Sequence, residues 1–196
     1  IGAIYTNLGK LPGERGTLIR RNFIHHLGQD RDKLFGVYLD NGTMGVTVEE
    51  NIFYTIGSAA YPDSAAVMSN HGQHITVRNN MMIDTTKPFR LSLYLNCDGS
   101  PAGWGCADQA SFESAWEGYF GAVPSDHRLA YPELATWDQE DHWEPSTNRY
   151  YHNVIFNPEV PLISGAYQVD YAGEDFILDA ADNWIASSDP GFADLE

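Results

Sequence analysis

Along this chain, an asparagine followed by two or three mainly apolar residues recurs at regular intervals. The five segments are RNFIHH at Arg21–His26, ENIFYT at Glu50–Thr55, NNMMID at Asn79–Asp84, HNVIFN at His152–Asn157 and DNWIAS at Asp182–Ser187. Their asparagines, at positions 22, 51, 80, 153 and 183, are separated by 29, 29, 73 and 30 residues. A period of about 30 residues with one expanded interval is typical of stacked-coil architectures.

A second column of residues has the same period. IYTN at Ile4–Asn7, VYLD at Val37–Asp40, VMSN at Val67–Asn70 and LYLN at Leu93–Asn96 each read as apolar, large, variable and then Asn or Asp. Each coil therefore carries at least two short runs rich in β-branched and aromatic residues, bounded by turn-forming residues. This pattern predicts an all-β fold, a right-handed parallel β-helix of about five coils.

The asparagine columns have a structural interpretation. Equivalent positions in successive coils lie about 4.8 Å apart, so stacked Asn side chains can hydrogen-bond along a column. Asn also tolerates the left-handed backbone conformation that a tight corner requires. We therefore interpret these asparagines as parts of the scaffold.

The expanded interval predicts an insert over Cys97–Ser146. Within it, ADQASFESAWEGYF at Ala107–Phe120 has aromatic residues at helical spacing and predicts one amphipathic helix. Insertions in solenoids lie on one face and often shape the binding surface. The alternative is a helix that only packs on the surface of the coils.

Charge and composition narrow the class of partner. The net charge is −16, with 27 acidic residues against 11 Lys and Arg, which argues against nucleic acids and anionic membranes. No apolar run is long enough to span a membrane. A neutral polymer, unlike a nucleic acid, would not be repelled by the negative charge of the protein. Three lysines in 196 residues fit a secreted, extracellular protein. In that compartment Cys97 and Cys106 are expected to form a disulfide, the alternative being two free thiols.

We expect residues 1–196 to form a single β-helix domain, the C-terminal part of a longer solenoid. The chain opens directly on a strand-like segment. An uncapped first coil would expose a sheet edge, which also makes self-association a candidate property.

Four segments resemble a known family. They are GVYLDNGTMGVTVEENIFY, AVMSNHGQHITVRNNMMID, RLAYPEL near the end of the insert, and the closing SSDPGFAD. Together they resemble secreted right-handed parallel β-helix proteins of the pectate-lyase-like superfamily, which include glycoside hydrolases of family 141. The resemblance implies a carbohydrate-active protein, most simply a glycoside hydrolase acting on an extracellular polysaccharide. Relatives often carry an acidic pair where this chain has Asp40 and Asn41, and a basic residue where it has Gln73.

Asp40 is the leading candidate for a catalytic carboxylate. It is the one acid in a column otherwise filled by Asn7, Asn70 and Asn96, although an Asp can also serve the turn before Asn-Gly. Glycosidases use two carboxyl groups, and Asp84 is the candidate partner.

The candidate substrate-binding residues are Asn70 and His71 at the next corner, with Trp104 and Trp143 in the insert. Aromatic rings suit stacking on sugar faces, so a non-catalytic glycan-binding or structural protein is the first alternative. A polysaccharide lyase is the second alternative, and it would need a base and a group that neutralises the substrate carboxylate. We expect no metal and no cofactor, with calcium left open.

Overall fold

The computed structural model describes residues 1–7, 16–92, 110, 125–139, 147–156, 167–169, 182–186 and 188. These residues form a β-solenoid of about four turns, whose stacked coils build three parallel sheets. The predicted all-β parallel solenoid is therefore confirmed. Its handedness stays a prediction.

Each coil visits the three sheets in turn. Sheet A contains β1 (Gly2–Asn7), β4 (Phe35–Asp40), β7 (Ala65–Asn70), β10 (Phe89–Ser92) and β13 (Tyr167–Val169). Sheet B contains β2 (Thr17–Arg20), β5 (Val46–Glu49), β8 (Thr76–Arg78) and β11 (Arg149–Tyr151). Sheet C contains β3 (Phe23–Leu27), β6 (Ile52–Ile56), β9 (Met81–Thr85), β12 (Val154–Phe156) and β14 (Trp184–Ala186). In the described residues four coils have all three strands, and the expected fifth is represented by β13 and β14.

The core consists of inward-facing columns that run along the solenoid. Sheet A contributes Ile4, Val37, Val67 and Phe89, which are register partners in successive coils. Sheet B contributes Ile19, Val48, Val77 and Tyr150, and sheet C contributes Ile24, Phe53, Met82, Ile155 and Ile185. Most of these side chains are buried, and each full burial of this kind stabilises the fold by roughly 1.5–3 kcal/mol.

The predicted asparagine ladder is confirmed. The backbone N–H and the Nδ2 of Asn51 both donate to Oδ1 of Asn80 at 3.0 Å. Asn80 repeats this arrangement toward Asn153, again at 3.0 Å. Asn22 and Asn183 extend the column at its two ends. The ladder satisfies buried polar groups at the corner between sheets B and C.

The left-handed backbone conformation does not fall on these asparagines, as the sequence interpretation had suggested. It falls on the residue before each of them. These residues are Arg21, Glu50, Asn79, His152 and Asp182, with φ between 54° and 58°. The ladder asparagines lie outside the left-handed region, and their side chains hydrogen-bond along the column. The residue before each asparagine adopts the positive φ that turns the chain at the corner.

The predicted second column is confirmed in three coils and wrong in the fourth. Asn7 pairs with Asp40 in the sheet register, and Asn70 follows in the next coil. Asn70 then pairs with Ser92, so β10 occupies the place predicted for Leu93–Asn96. The reason is a shortened connection. Residues 86–88 join β9 to β10, whereas residues 28–34 and 57–64 make the equivalent links in the first two coils.

The interval between β10 and β11 includes α1 (Ser125–Ala130) and a 3-10 helix (Pro132–Gln139). The helix predicted over Ala107–Phe120 lies outside the described residues except for Ala110, which is helical. Cys97 and Cys106 also lie outside them, so the disulfide stays a prediction. Within the described residues, neither helix has the length and apolar character needed to cross a bilayer.

Candidate functional site

The corner between sheets A and B gathers the polar residues that the sequence singled out. β4 and β7 end there in Asp40 and Asn70. The next residues, Asn41 and His71, have positive φ of 48° and 56°, which turns the chain toward sheet B immediately after each strand. Equivalent strand ends are stacked in register, so polar groups from successive coils meet at this corner.

The carboxylate of Asp40 is held by groups from three coils. Its Oδ1 accepts hydrogen bonds from Nδ2 of Asn70 at 2.8 Å and from the backbone N–H of Asn41 at 2.9 Å. Its Oδ2 accepts a hydrogen bond from the Tyr5 hydroxyl at 2.7 Å. The residue is 9% exposed, so the carboxylate is fixed in orientation and reaches solvent over a small area.

Aromatic rings lie beside this carboxylate on the outward face of sheet A. The rings of Tyr5 and Tyr38 meet edge to face, with centroids 5.3 Å apart. Phe35 packs against Tyr38 at 5.0 Å, and the guanidinium of Arg90 lies 6.0 Å from the centre of the Phe35 ring. Tyr5 is 47% exposed, so the outer end of this aromatic group is open to a ligand.

The electrostatic environment keeps both tyrosines protonated. Partial burial, followed by the hydrogen bond to Asp40 and the charge of Asp40, raises the pKa of Tyr5 from 10.0 to about 12. Burial first and the charge of Asp40 second also raise the pKa of Tyr38 well above its usual range. Because the Tyr5 O–H is already donated to Asp40, the neutral phenol offers a ligand a hydrogen-bond acceptor and an apolar face together.

The raised pKa of Tyr5 leads to a testable pH dependence. The folded-state pKa lies above the unfolded value, so this contribution to stability is present below pH 10 and is lost as pH rises through about 12. Comparison of the wild type with Tyr5→Phe in a tyrosinate absorbance titration isolates this ionisation. Asp40→Asn should move its midpoint down toward the ordinary value. A Tyr5 phenol that ionises at the same pH in the wild type and in Asp40→Asn would contradict the coupling.

The predicted substrate-binding residues Asn70 and His71 lie at this corner, but both are buried. Asn70 donates to Asp40, and His71 is 1% exposed. Their roles in substrate binding stay predictions.

The other predicted residues lie elsewhere. Asp84 belongs to β9 in sheet C, with positive φ at the corner that leads back to sheet A, whereas Asp40 ends a strand of sheet A at the next corner. Trp104 and Trp143 lie outside the described residues. The structure therefore brings Asp40, Asn70 and His71 together at one corner and places Asp84 at another.

The long connection between β10 and β11 begins and ends at the same edge of the solenoid as Asp40, in the fourth coil, whereas Asp40 lies in the second. The insert leaves sheet A after β10 and returns at β11 in sheet B, where the other coils make short turns. Its returning end is tied to the turn of the preceding coil, because Asn148 Oδ1 accepts from the Ile75 N–H at 3.0 Å and Asn148 Nδ2 donates to the Gly72 carbonyl at 2.7 Å. The described ends of this connection, at Ser92 and Asn148, therefore lie along the edge that carries the polar corner.

Sequence reasoning missed Tyr5, Tyr38 and Phe35 as parts of the site. The signal for the two tyrosines was available, since each is the large residue two positions before the Asn or Asp that ends the strand. Side chains at i and i+2 of a strand share a face, so these rings had to lie beside the corner residue. In the part of the chain that is described, no group of three His, Cys, Asp or Glu side chains is arranged to hold a metal ion.

Comparison of the chain with protein-family models, with curated proteins and with solved structures finds no match in any of the three. The architecture itself is shown by the strands and their register. The resemblance to carbohydrate-active β-helix proteins rests on the sequence segments that suggested it.

Proposed function

We propose that this is a secreted carbohydrate-active protein that recognises an extracellular polysaccharide on the outward face of sheet A. The observation that supports this most strongly is the arrangement around Asp40. A fixed carboxylate, a neutral phenol and an exposed aromatic face lie within one hydrogen-bonded group. Ring faces that stack on sugars, combined with a few placed polar groups, are the usual composition of a carbohydrate site.

Glycoside hydrolysis is the activity that we propose first. Asp40 would serve as the nucleophile or general base, because its donors hold it as an ordered carboxylate. The insert would form a wall of the groove and would have to supply the second carboxyl group that hydrolysis requires. Asp84, at a different corner, is the less favourable candidate for that partner.

A non-catalytic glycan-binding protein is the second candidate. The observation that favours it is that both oxygens of Asp40 are already engaged by three donors. The neighbouring corner position, where a paired acid would be useful, is Asn41, and its side chain donates to Asn7 Oδ1 at 2.9 Å. Such a site can orient a sugar without reacting with it.

A polysaccharide lyase is less well supported at this corner. A tyrosine base must reach its anionic form, and burial together with the neighbouring Asp40 charge raises the pKa of both Tyr5 and Tyr38. The same negative charge would also oppose a uronate substrate.

A screen of plant and algal polysaccharides for binding and for release of reducing sugar tests the proposal. Tyr5→Ala should lower the affinity for the bound glycan by about tenfold, which is about 1.4 kcal/mol. The matched control is Leu18→Ala, which removes a comparably exposed apolar side chain from sheet B and should leave affinity unchanged. Equal losses in the two variants would remove the sheet A face from the site.

Asp40→Asn separates hydrolase from binder. An Asn side chain can keep the acceptor for Asn41 and Asn70 and can donate to the Tyr5 oxygen, so the substitution removes the charge with little change in geometry. Loss of turnover with retained binding supports hydrolysis. Binding without turnover in both proteins supports the second candidate, and an unsaturated product would establish the lyase.

A further inference from the structure

An apolar stripe runs along the outward face of sheet C. Its members follow the ladder asparagines directly and are register partners in successive coils: Phe23, Ile52, Met81, Val154 and Trp184. Phe23 and Trp184, at the two ends, are 55% and 57% exposed. A continuous apolar column on a solenoid surface indicates an interaction site, because solvent-facing strand positions are otherwise polar.

A column of charged and polar residues borders the stripe on the side of the asparagine ladder. Read from the first coil to the last, its members are Arg21, Glu50, Asn79, His152 and Asp182. Within the chain, Arg21 pairs with Glu50 at 2.7 Å, and His152 lies 3.8 Å from Asp182. All four of these side chains are exposed, between 43% and 78%, so they remain available to a partner.

The order of this column is complementary to its own reverse, because its two ends carry opposite charges and Glu50 meets an imidazole that can donate a hydrogen bond. Reversed, Arg21 faces Asp182, Glu50 faces His152, and Asn79 faces Asn79. Two copies packed face to face can be related by a two-fold axis that runs parallel to the strands at the level of the third coil. This axis reverses the order of the coils, so the first coil of one copy faces the last coil of the other. An axis along the solenoid would instead bring Arg21 across from His26, and that arrangement lacks this complementarity.

The same axis also matches the apolar residues. It places Phe23 against Trp184, Ile52 against Val154 and Met81 against Met81. In the second outward column of sheet C, Tyr54 meets Phe156. Large residues at the ends of the stripe thus meet each other, and the smaller ones meet at the centre.

We propose that sheet C is the interface of an antiparallel homodimer, in which a second copy of this chain covers the Phe23–Trp184 stripe. The sheets would pack about 10 Å apart, a distance that the long rim side chains of Arg21 and Glu50 can span. At the opposite rim, Asp84 would lie across from its own copy at a similar distance, where solvent screens the repulsion. The glycan face on sheet A is left open in this arrangement.

Sedimentation equilibrium on the whole chain tests the proposal. We expect a concentration-dependent monomer–dimer equilibrium that Phe23→Lys weakens at least about tenfold. The matched control is Leu18→Lys, at an apolar residue of sheet B that is 44% exposed, and it should leave association unchanged. Circular dichroism confirms that both variants retain the solenoid.

A charge exchange tests the orientation of the two copies. Arg21→Glu should weaken the dimer, because the carboxylate introduced at this position would face Asp182 of the other copy. The double variant Arg21→Glu, Asp182→Arg should restore it. A wild type that stays monomeric at all concentrations, equal losses in the two lysine variants, or failure of the double variant to restore association would overturn the proposal. Loss of glycan binding in Phe23→Lys without any dimer in the wild type would instead assign the stripe to the glycan.

Discussion

Truncation of Asn80 to alanine is expected to lower the free energy of unfolding by about 4 kcal/mol, because it leaves several buried polar groups without partners. Asn80 is almost fully buried. Its Oδ1 accepts from both nitrogens of Asn51, and its Nδ2 donates to the carbonyls of Val48 and Arg78 and to Asn153.

Asn22→Ala is the matched control for this prediction. Asn22 occupies the first position of the ladder and is partly exposed. It has a ladder neighbour, Asn51, on one side only, and it donates a hydrogen bond to that residue. Its truncation should cost about 1 kcal/mol. Urea unfolding followed by circular dichroism measures both variants. Equal, small losses would show that the ladder is incidental to stability.

Gly57→Ala is expected to destabilise the fold by about 3 kcal/mol or more, for two separate reasons. Gly57 has φ of +81°, a conformation that L side chains rarely adopt. A Cβ there would also overlap Oγ1 of Thr86, the hydroxyl that donates to the Ile56 carbonyl at 2.7 Å. The corner between sheets C and A has no space for the added methyl group.

Gly16→Ala separates the two causes. Gly16 also has positive φ, at +93°, but none of the described residues has an atom within 4 Å of an added Cβ. This variant should lose only the conformational term, about 1 kcal/mol. A shift of the thermal midpoint that is equal in the two variants would contradict the packing explanation at Thr86.

The scaffold could be predicted because its asparagines perform a repeated physical task. One side chain per coil must satisfy the corner groups of the next coil, so the spacing of Asn22, Asn51 and Asn80 equals the length of a coil. The position of the left-handed residue could not be predicted in the same way. Arg21 and Glu50 are residue types with little preference for that conformation, and the stacked corner imposes it on them.

The fourth coil shows where pattern matching fails. LYLN fits the strand pattern as well as FRLS does, and local preference cannot distinguish them. The register is set instead by the three-residue connection from Thr86 to Pro88, which is visible only once the strands are paired. Each sheet position depends on the length of the preceding corner.

The candidate site was partly predictable. Asp40 was singled out as an acid in an Asn column, and the structure confirms that Asn7 and Asn70 flank it in that column. The hydrogen bond from Tyr5 to Asp40 becomes visible only when neighbouring coils are stacked, because the two residues are 35 positions apart in the sequence. To predict the stripe on sheet C from the sequence, one would have to know, for all five strands together, which residues point inward and which outward.

The most direct test of glycan recognition on sheet A is to locate a bound oligosaccharide by crystallography, with a glycan taken from the binding screen. We predict a sugar ring against Tyr5 and Tyr38, with a hydroxyl within hydrogen-bonding distance of Asp40. A sugar bound on sheet B or on the Phe23–Trp184 stripe of sheet C, or no binding of any glycan, would contradict this prediction.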